Sequence, residues 1–352
     1  MIALDLARAL AALTVLFYHV RGSNWVELSF LPAQQRNLAT EVFFGLNRLG
    51  NEAVMVFFAL SGFLVGGKLI ERVRAGSFDP AHYAMYRTTR ILIPLVPACL
   101  LTAAVALIIH HPLSGVAVVG NMVGLNGVLV PNLIYDGPLW SLAFEIWFYV
   151  IAGTLAVWIT RGGSISIVLI TAVAALILTK LGPAFLLFWS FGALASSPLN
   201  PPKARWLSAI GLGIMAAGVL CYQFYSGSKV FSTVEIVPET VAQGMVAMGF
   251  SMILPYLCLY ETNRALSWLQ RPARFFSAIS YSLYLTHVPI NAALNLVLFK
   301  SHTMDLNSFL AFMTRIAICI LFSIGFFLVF ERHTGAVRQA VFRRLTARRA
   351  RA

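Results

Sequence analysis

Charge is what this 352-residue chain has least of: Asp, Glu, Lys and Arg together make up 11% of it, less than half of the roughly 25% usual in a soluble domain. Acidic residues are scarcer still, 13 against 26 basic ones, for a net charge of +13. Too little charge is present to solvate the surface of an ordinary soluble globule. The four cysteines (Cys99, Cys221, Cys258, Cys319) all lie in apolar runs, without disulfide or metal-ligand spacing. They read as small apolar residues, and no metal site is expected. There is no internal repeat, and none of the short alternating segments of a transmembrane barrel. The first apolar run begins at residue 4 with almost no leader and carries Asp5. A signal peptide has a positive leader and a small-residue cleavage site, so a retained helix is expected.

What the chain does have is hydrophobic length. At 59% hydrophobic and a mean hydropathy of +0.80, it is expected to be an all-α integral membrane protein, a polytopic bundle of about ten transmembrane helices. A spanning helix needs about 20 largely apolar residues. The candidates are 4–20, 48–67, 89–109, 138–159, 165–180, 183–197, 206–222, 240–260, 275–299 and 307–331. Gly182-Pro183 reads either as a tight turn between two spans or as a kink in one.

Loop charge orients this layout. With the N-terminus in the cytoplasm, the cytoplasmic side collects Arg8, the Lys68–Arg90 group, Arg161, Lys203, Arg205, Arg264, Arg271, Arg274 and the tail from Arg332. The outside holds Arg21, Arg36, Arg48, Lys180, Lys229 and Lys300. That is the positive-inside pattern, and it predicts that both termini are cytoplasmic. Merging 165–197 into one span would put the basic tail outside. Topology thus accounts for the positive charge, and no nucleic-acid partner is expected. The segment 110–137, apolar but broken by Gly, Asn and Pro, suits a re-entrant or interfacial stretch. The tail 336–352 reads as a basic cytoplasmic end resting on anionic membrane lipid.

Polar residues inside the apolar runs point to function, because lipid penalises them. Arg8 and His19 are eleven positions apart in the first run. At about 100° and 1.5 Å per residue they share one helix face, roughly 16 Å apart along the axis. Snorkelling would explain Arg8 alone, but it requires no such alignment. Arg87 and Arg90, at i,i+3 in "RTTRILIP", are neighbours and pair two guanidiniums that match the geometry of phosphate. Positive-inside anchoring is the plainer alternative. Glu145 lies in "PLWSLAFEIWFY" with Trp140 and Ser141, and a carboxylate there needs a partner or a proton. In "ISYSLYLTHVPI", Ser280, Tyr284 and His287 share a face with Tyr281 nearby, a polar stripe expected to face the bundle interior.

Five ordered blocks carry a resemblance. Arg8 and His19 match an arginine, ten residues, histidine pattern; "VFFALSGFLVG" at 56–66, with Ser61, matches an aromatic pair followed by Leu-Ser-Gly-Phe. "RTTRILIP", "PLWSLAFEIWFY" and "SYSLYLTH" follow in order. Over nearly its whole length the chain resembles the acyltransferase-3 family of membrane O-acyltransferases, which modify surface and secreted glycans. It departs from the family at Ala7 and Ala9, where glycines are frequent, and at Met55, where an acidic residue is frequent; Glu52 lies one turn earlier.

The resemblance implies a membrane domain over 1–335 and a tail over 336–352, in the inner membrane of a bacterium. It implies His19 as the essential histidine with Arg8 as its partner, and Arg87 and Arg90 serving the acyl-CoA donor. Glu145, Ser61, Trp140, Ser141, Ser280, Tyr281, Tyr284 and His287 would help form or line the site. The donor would be acetyl-CoA or another acyl-CoA, used as a co-substrate with no bound cofactor. The acceptor would be a hydroxyl of a glycan or lipid-linked sugar. The competing class is a proton-coupled transporter or flippase, which buried His, Glu and Arg would also suit.

Overall fold

The structure, a computed structural model, describes residues 2–197, 199–225, 237–259 and 268–349. Lys229, Arg264 and Arg351, part of the charge pattern above, lie outside the described residues. Every described segment of regular structure is helical. In chain order these are α1 (Ile2–Asn24), α2 (Leu38–Leu46), α3 (Gly50–Ser61), α4 (Gly67–Arg74), α5 (Pro80–Ile108), α6 (Gly115–Met122), α7 (Leu139–Arg161), α8 (Ile165–Leu181), α9 (Ala184–Ala195), α10 (Pro201–Tyr225), α11 (Glu239–Leu259), α12 (Gln270–Leu294), α13 (Leu306–Val329) and α14 (Thr334–Arg349). A π-helical turn over Gly62–Gly66 joins α3 to α4.

All ten expected segments are helical, but seven helical runs are long and apolar enough to cross a bilayer among the described residues, or eight if the bent pair α8–α9 is one span. Three of the ten account for the difference from seven: α8, which at 17 residues is short for a span on its own, α9 and α12. Helix α9 has 12 residues and rises about 18 Å, short of a hydrocarbon core of about 30 Å. It meets α8 at a 112° bend, where Gly182 takes φ +128° before Pro183. Helix α12 is long enough, at 25 residues, but too polar to register as an apolar span. Most of that polarity is buried: Ser277, Ser280, Ser282, Thr286, His287 and Asn291.

The chain divides into two compact units. The first holds Met1–Arg74, Gly182–Tyr281 and Leu294–Ile316; the second holds Ala75–Leu181, Ser282–Ala293 and Ala317–Ala352. In the first unit α3 crosses α9 with the two backbones in contact. A Cβ added at Gly62 would collide with the carbonyl of Trp189, and one added at Gly192 with that of Ala59. Small residues permit such approaches in membranes. Gly192→Ala is therefore expected to destabilise the protein by about 3 kcal/mol. Gly213→Ala, where the added methyl meets nothing within 4 Å, should be neutral or slightly stabilising. Thermal unfolding in detergent compares them, and equal midpoints would refute the close crossing.

In the second unit, Asp79 starts α5 by accepting from the amides of Ala81 (2.9 Å) and His82 (3.3 Å), with Pro80 at the first helical position, a favourable cap. The 110–137 segment folds on itself around two buried asparagines. Asn121 Nδ2 donates to the carbonyls of Ala117 and Pro131, and Asn126 Nδ2 to Asn132 Oδ1 and the Leu139 carbonyl.

The same segment carries Asp136, which is fully buried. Thr102 Oγ1 lies 3.0 Å from both the Ala98 carbonyl and Asp136 Oδ2. One hydroxyl proton cannot serve both acceptors, whereas a protonated Asp136 satisfies the arrangement by donating to Thr102. Burial accordingly pushes the Asp136 carboxyl well above the usual carboxylate range. The unfolded chain releases this proton near pH 4 while the folded chain keeps it, so stability falls as pH rises from about 4 toward the folded pKa. Asp136→Asn should remove that slope. Unfolding midpoints at pH 5 and pH 8 test this, and parallel behaviour of variant and wild type would refute it.

Candidate functional site

Arg8 and His19 sit on one uninterrupted helix, α1, and both are half-buried. His19 Nδ1 lies 2.9 Å from the carbonyl oxygen of Val15. A carbonyl only accepts, so Nδ1 carries the proton and the lone pair belongs to Nε2. Tyr18 packs edge-on against the imidazole, with centroids 4.9 Å apart. It also seats Gly50 of α3, where a Cβ would come within 2.6 Å of the tyrosine ring.

Close by in the same unit, Gln223 Nε2 donates to Glu52 Oε1 at 2.6 Å and Asn51 Nδ2 to Tyr222 OH at 2.6 Å. Glu52 is buried, and its second oxygen has no hydrogen-bond partner among the described residues. Ser61 accepts from Trp189 Nε1 at 3.2 Å, which ties α3 to α9. Ser280 donates back to the Ser277 carbonyl at 2.8 Å, and Tyr281 beside it is half-buried.

The other expected residues belong to the second unit. Tyr284 OH donates to the Pro138 carbonyl at 2.8 Å and lies 2.6 Å from Ser141 Oγ, so those two hydroxyls do come together. His287, 1% exposed, is tethered as His19 is, with Nδ1 2.8 Å from the Leu283 carbonyl. Trp140 packs edge-on against Phe144. Glu145 accepts a hydrogen bond from Tyr149 OH, and the ring of Tyr149 lies under the Arg87 guanidinium, 5.3 Å away.

The two arginines of "RTTR" differ more than their spacing indicates. Arg90 Nη1 forms a 2.6 Å ion pair with Glu331, whose other oxygen accepts from the Ser282 amide (3.1 Å) and hydroxyl (2.6 Å). Arg87 has no hydrogen bond or ion pair among the described residues and its Nε is buried without a partner. It is held by rings instead: Tyr86 at 4.7 Å, Tyr149 at 5.3 Å and Tyr83 at 6.0 Å, contacts that stabilise a cation without neutralising it. Arg87 also lines a cavity of about 400 Å³ between α5 and α7, walled by Tyr83, Ile91, Ile146, Tyr149 and Val150.

Glu331, Tyr149 and Tyr86 were not among the residues expected from sequence. Glu331 did leave a signal, as the one acidic residue after Asp305. No group of three or more potential metal ligands occurs among the described residues.

No curated protein and no solved structure matches this chain. A family profile described as an acyltransferase domain matches residues 1–332. With that match spanning nearly the whole length, on a helical chain carrying several bilayer-length apolar helices, the protein belongs to the acyltransferase-3 family and is a multi-pass membrane acyltransferase.

Proposed function

We propose that the protein moves an acyl group, acetyl in the first instance, from cytoplasmic acyl-CoA to a hydroxyl of a cell-surface or secreted glycan or a lipid-linked sugar. The observation that carries this reading is the tether of His19 to the Val15 carbonyl, which leaves Nε2 as the basic nitrogen. A hydroxyl is a poor nucleophile until a base takes its proton. Nε2 takes that proton as the oxygen attacks the thioester carbonyl. The tetrahedral intermediate then expels the CoA thiolate, which is protonated from the imidazolium. In the variant of this scheme, Nε2 attacks first and carries the acyl group.

Arg87 holds the donor's phosphate, with Arg90 fixed beside it by Glu331. Arg8 supports His19 from the same helix face, and Glu145 orients Tyr149 beneath Arg87. Both termini lie in the cytoplasmic compartment of a bacterial inner membrane. The excess of Lys and Arg in the segments assigned to the cytoplasm supports this orientation.

Thioester cleavage separates this reading from a transporter. Purified protein in detergent, with no ion gradient, should release free CoA from acetyl-CoA, and more of it when a sugar acceptor is added. Absence of any release would end the acyltransferase mechanism proposed here.

A further inference from the structure

Two cations that share one ring in the second unit have no anionic partner among the described residues. Arg87 of α5 stacks on the ring of Tyr86 at 4.7 Å, and Arg338 of α14 stacks on the same ring at 4.2 Å. Neither has a hydrogen bond or ion pair among the described residues. Because both lie over one ring, their guanidinium carbons are at most about 9 Å apart. Like charges that close repel, and more strongly where burial lowers the local dielectric. An anion between them removes the repulsion, and phosphate suits two forked donors. Arg338 lies in the basic tail, which is no free end here: Phe342 also packs edge-on against His82 of α5, with centroids 6.4 Å apart.

The second observation is the cavity that Arg87 lines. Its volume of about 400 Å³ runs along α5 from Pro80 to Leu92 and along α7 from Ile146 to Val157. That length is close to 18 Å of helix, the depth of a lipid tail rather than of a small head group. Its walls offer little to a polar guest: Tyr83 OH is spent on the Tyr149 carbonyl and Thr154 Oγ1 on the Ile151 carbonyl. Open on one side and apolar within, the cavity fits hydrocarbon.

A phosphate grip beside an apolar slot suits a phosphate ester that carries a hydrocarbon chain, and we infer that Arg87, Arg338 and this cavity form a site for an anionic phospholipid. The phosphate sits between the two guanidiniums, and one acyl chain lies along α5 and α7. Because Arg87 is also the donor's grip in the proposed function, the lipid and acyl-CoA compete. Only this competition rests on the acyltransferase reading; the binding does not.

The full-length protein, purified in a neutral detergent, is equilibrated with phosphatidylglycerol, phosphatidylcholine or glycerol phosphate, and bound ligand is counted by native mass spectrometry. Phosphatidylglycerol is expected to bind at least fivefold more tightly than either of the others. Arg338→Gln should weaken it about fivefold, and Val150→Phe, which fills the slot, by a similar factor. Unfolding midpoints establish that both variants are folded, and either one suffices if the other is not. Equal binding of phosphatidylcholine overturns the charge recognition. Glycerol phosphate binding as tightly, with Val150→Phe without effect, overturns the lipid assignment in favour of a plain phosphate site.

In turnover, phosphatidylglycerol should raise the apparent KM for acetyl-CoA at constant kcat, and the effect should fade in Arg338→Gln. An unchanged KM overturns the competition. A protein that binds the lipid but cleaves no thioester overturns the acyltransferase mechanism and leaves the lipid site standing.

Discussion

His19→Ala protein is expected to insert and fold like the wild type and to lose acyl transfer by about 10²- to 10⁴-fold, the usual contribution of a positioned general base. Folding should survive because the side chain is half-buried and its clearest structural bond is to a carbonyl of its own helix, Val15. Chemistry should not survive, because no other residue of α1 offers an imidazole nitrogen to take the proton. His19→Gln sharpens the test. An amide restores hydrogen bonding at that position but takes no proton, so it should be as inactive as alanine if Nε2 is the base. Substantial recovery in the glutamine variant would mean that His19 only positions the acceptor. CoA release from acetyl-CoA, with and without a sugar acceptor, is the measurement. Acetylated protein trapped from wild type but not from either variant would mark the route through an acyl-histidine.

Some helix ends were legible because the chain there holds residues that do not continue a helix. Gly162, at φ +80°, stops α7, and Gly182-Pro183 breaks α8 from α9. Helix α2 lies between the first two expected spans, 4–20 and 48–67, where no spanning helix is expected. Its signal is local: Asn37 Oδ1 accepts from the Thr40 amide at 3.1 Å, an N-cap that hydropathy does not see. Helix α12 stands apart for the opposite reason. Three of its polar groups turn back onto its own backbone, Ser280 to Ser277, Thr286 to Ser282 and His287 to Leu283, so part of a stripe that looks hydrophilic in sequence demands less of its surroundings.

The candidate site was legible only as far as helix periodicity reaches. Spacing put Arg8 with His19 and Tyr284 with His287, because each pair lies on one helix. Ser141 with Tyr284, Glu145 with Tyr149, and Arg90 with Glu331 depend on which helices become neighbours or on the partner chosen within a helix. No period in the sequence encodes the long-range pairs. The division of the chain into two units was invisible for the same reason, since three of its five boundaries fall inside the continuous helices α12 and α13.

The two arginines of "RTTR" should fail in different ways. Arg90→Ala leaves Glu331, 2% exposed, with the Ser282 donors but no counter-charge. Stranding a buried carboxylate costs about 3–5 kcal/mol when nothing else stabilises it. The remaining Ser282 hydrogen bonds and the partial exposure of Arg90 reduce this to about 2–3 kcal/mol. The loss should appear as a lower unfolding midpoint, and Glu331→Gln in the same protein should recover part of it, because the stranded charge is then gone. Arg87→Ala breaks no ion pair. Its removal should leave the midpoint within about 1 kcal/mol of wild type, the scale of its ring contacts, and raise the KM for acyl-CoA tenfold or more, the equivalent of about 1.4 kcal/mol of binding. If both variants instead raise KM alike at unchanged stability, Arg90 is a second phosphate ligand and its pairing with Glu331 gives way when the donor binds. If both lower the midpoint alike with KM unchanged, neither arginine touches the donor, and the phosphate grip must be sought elsewhere.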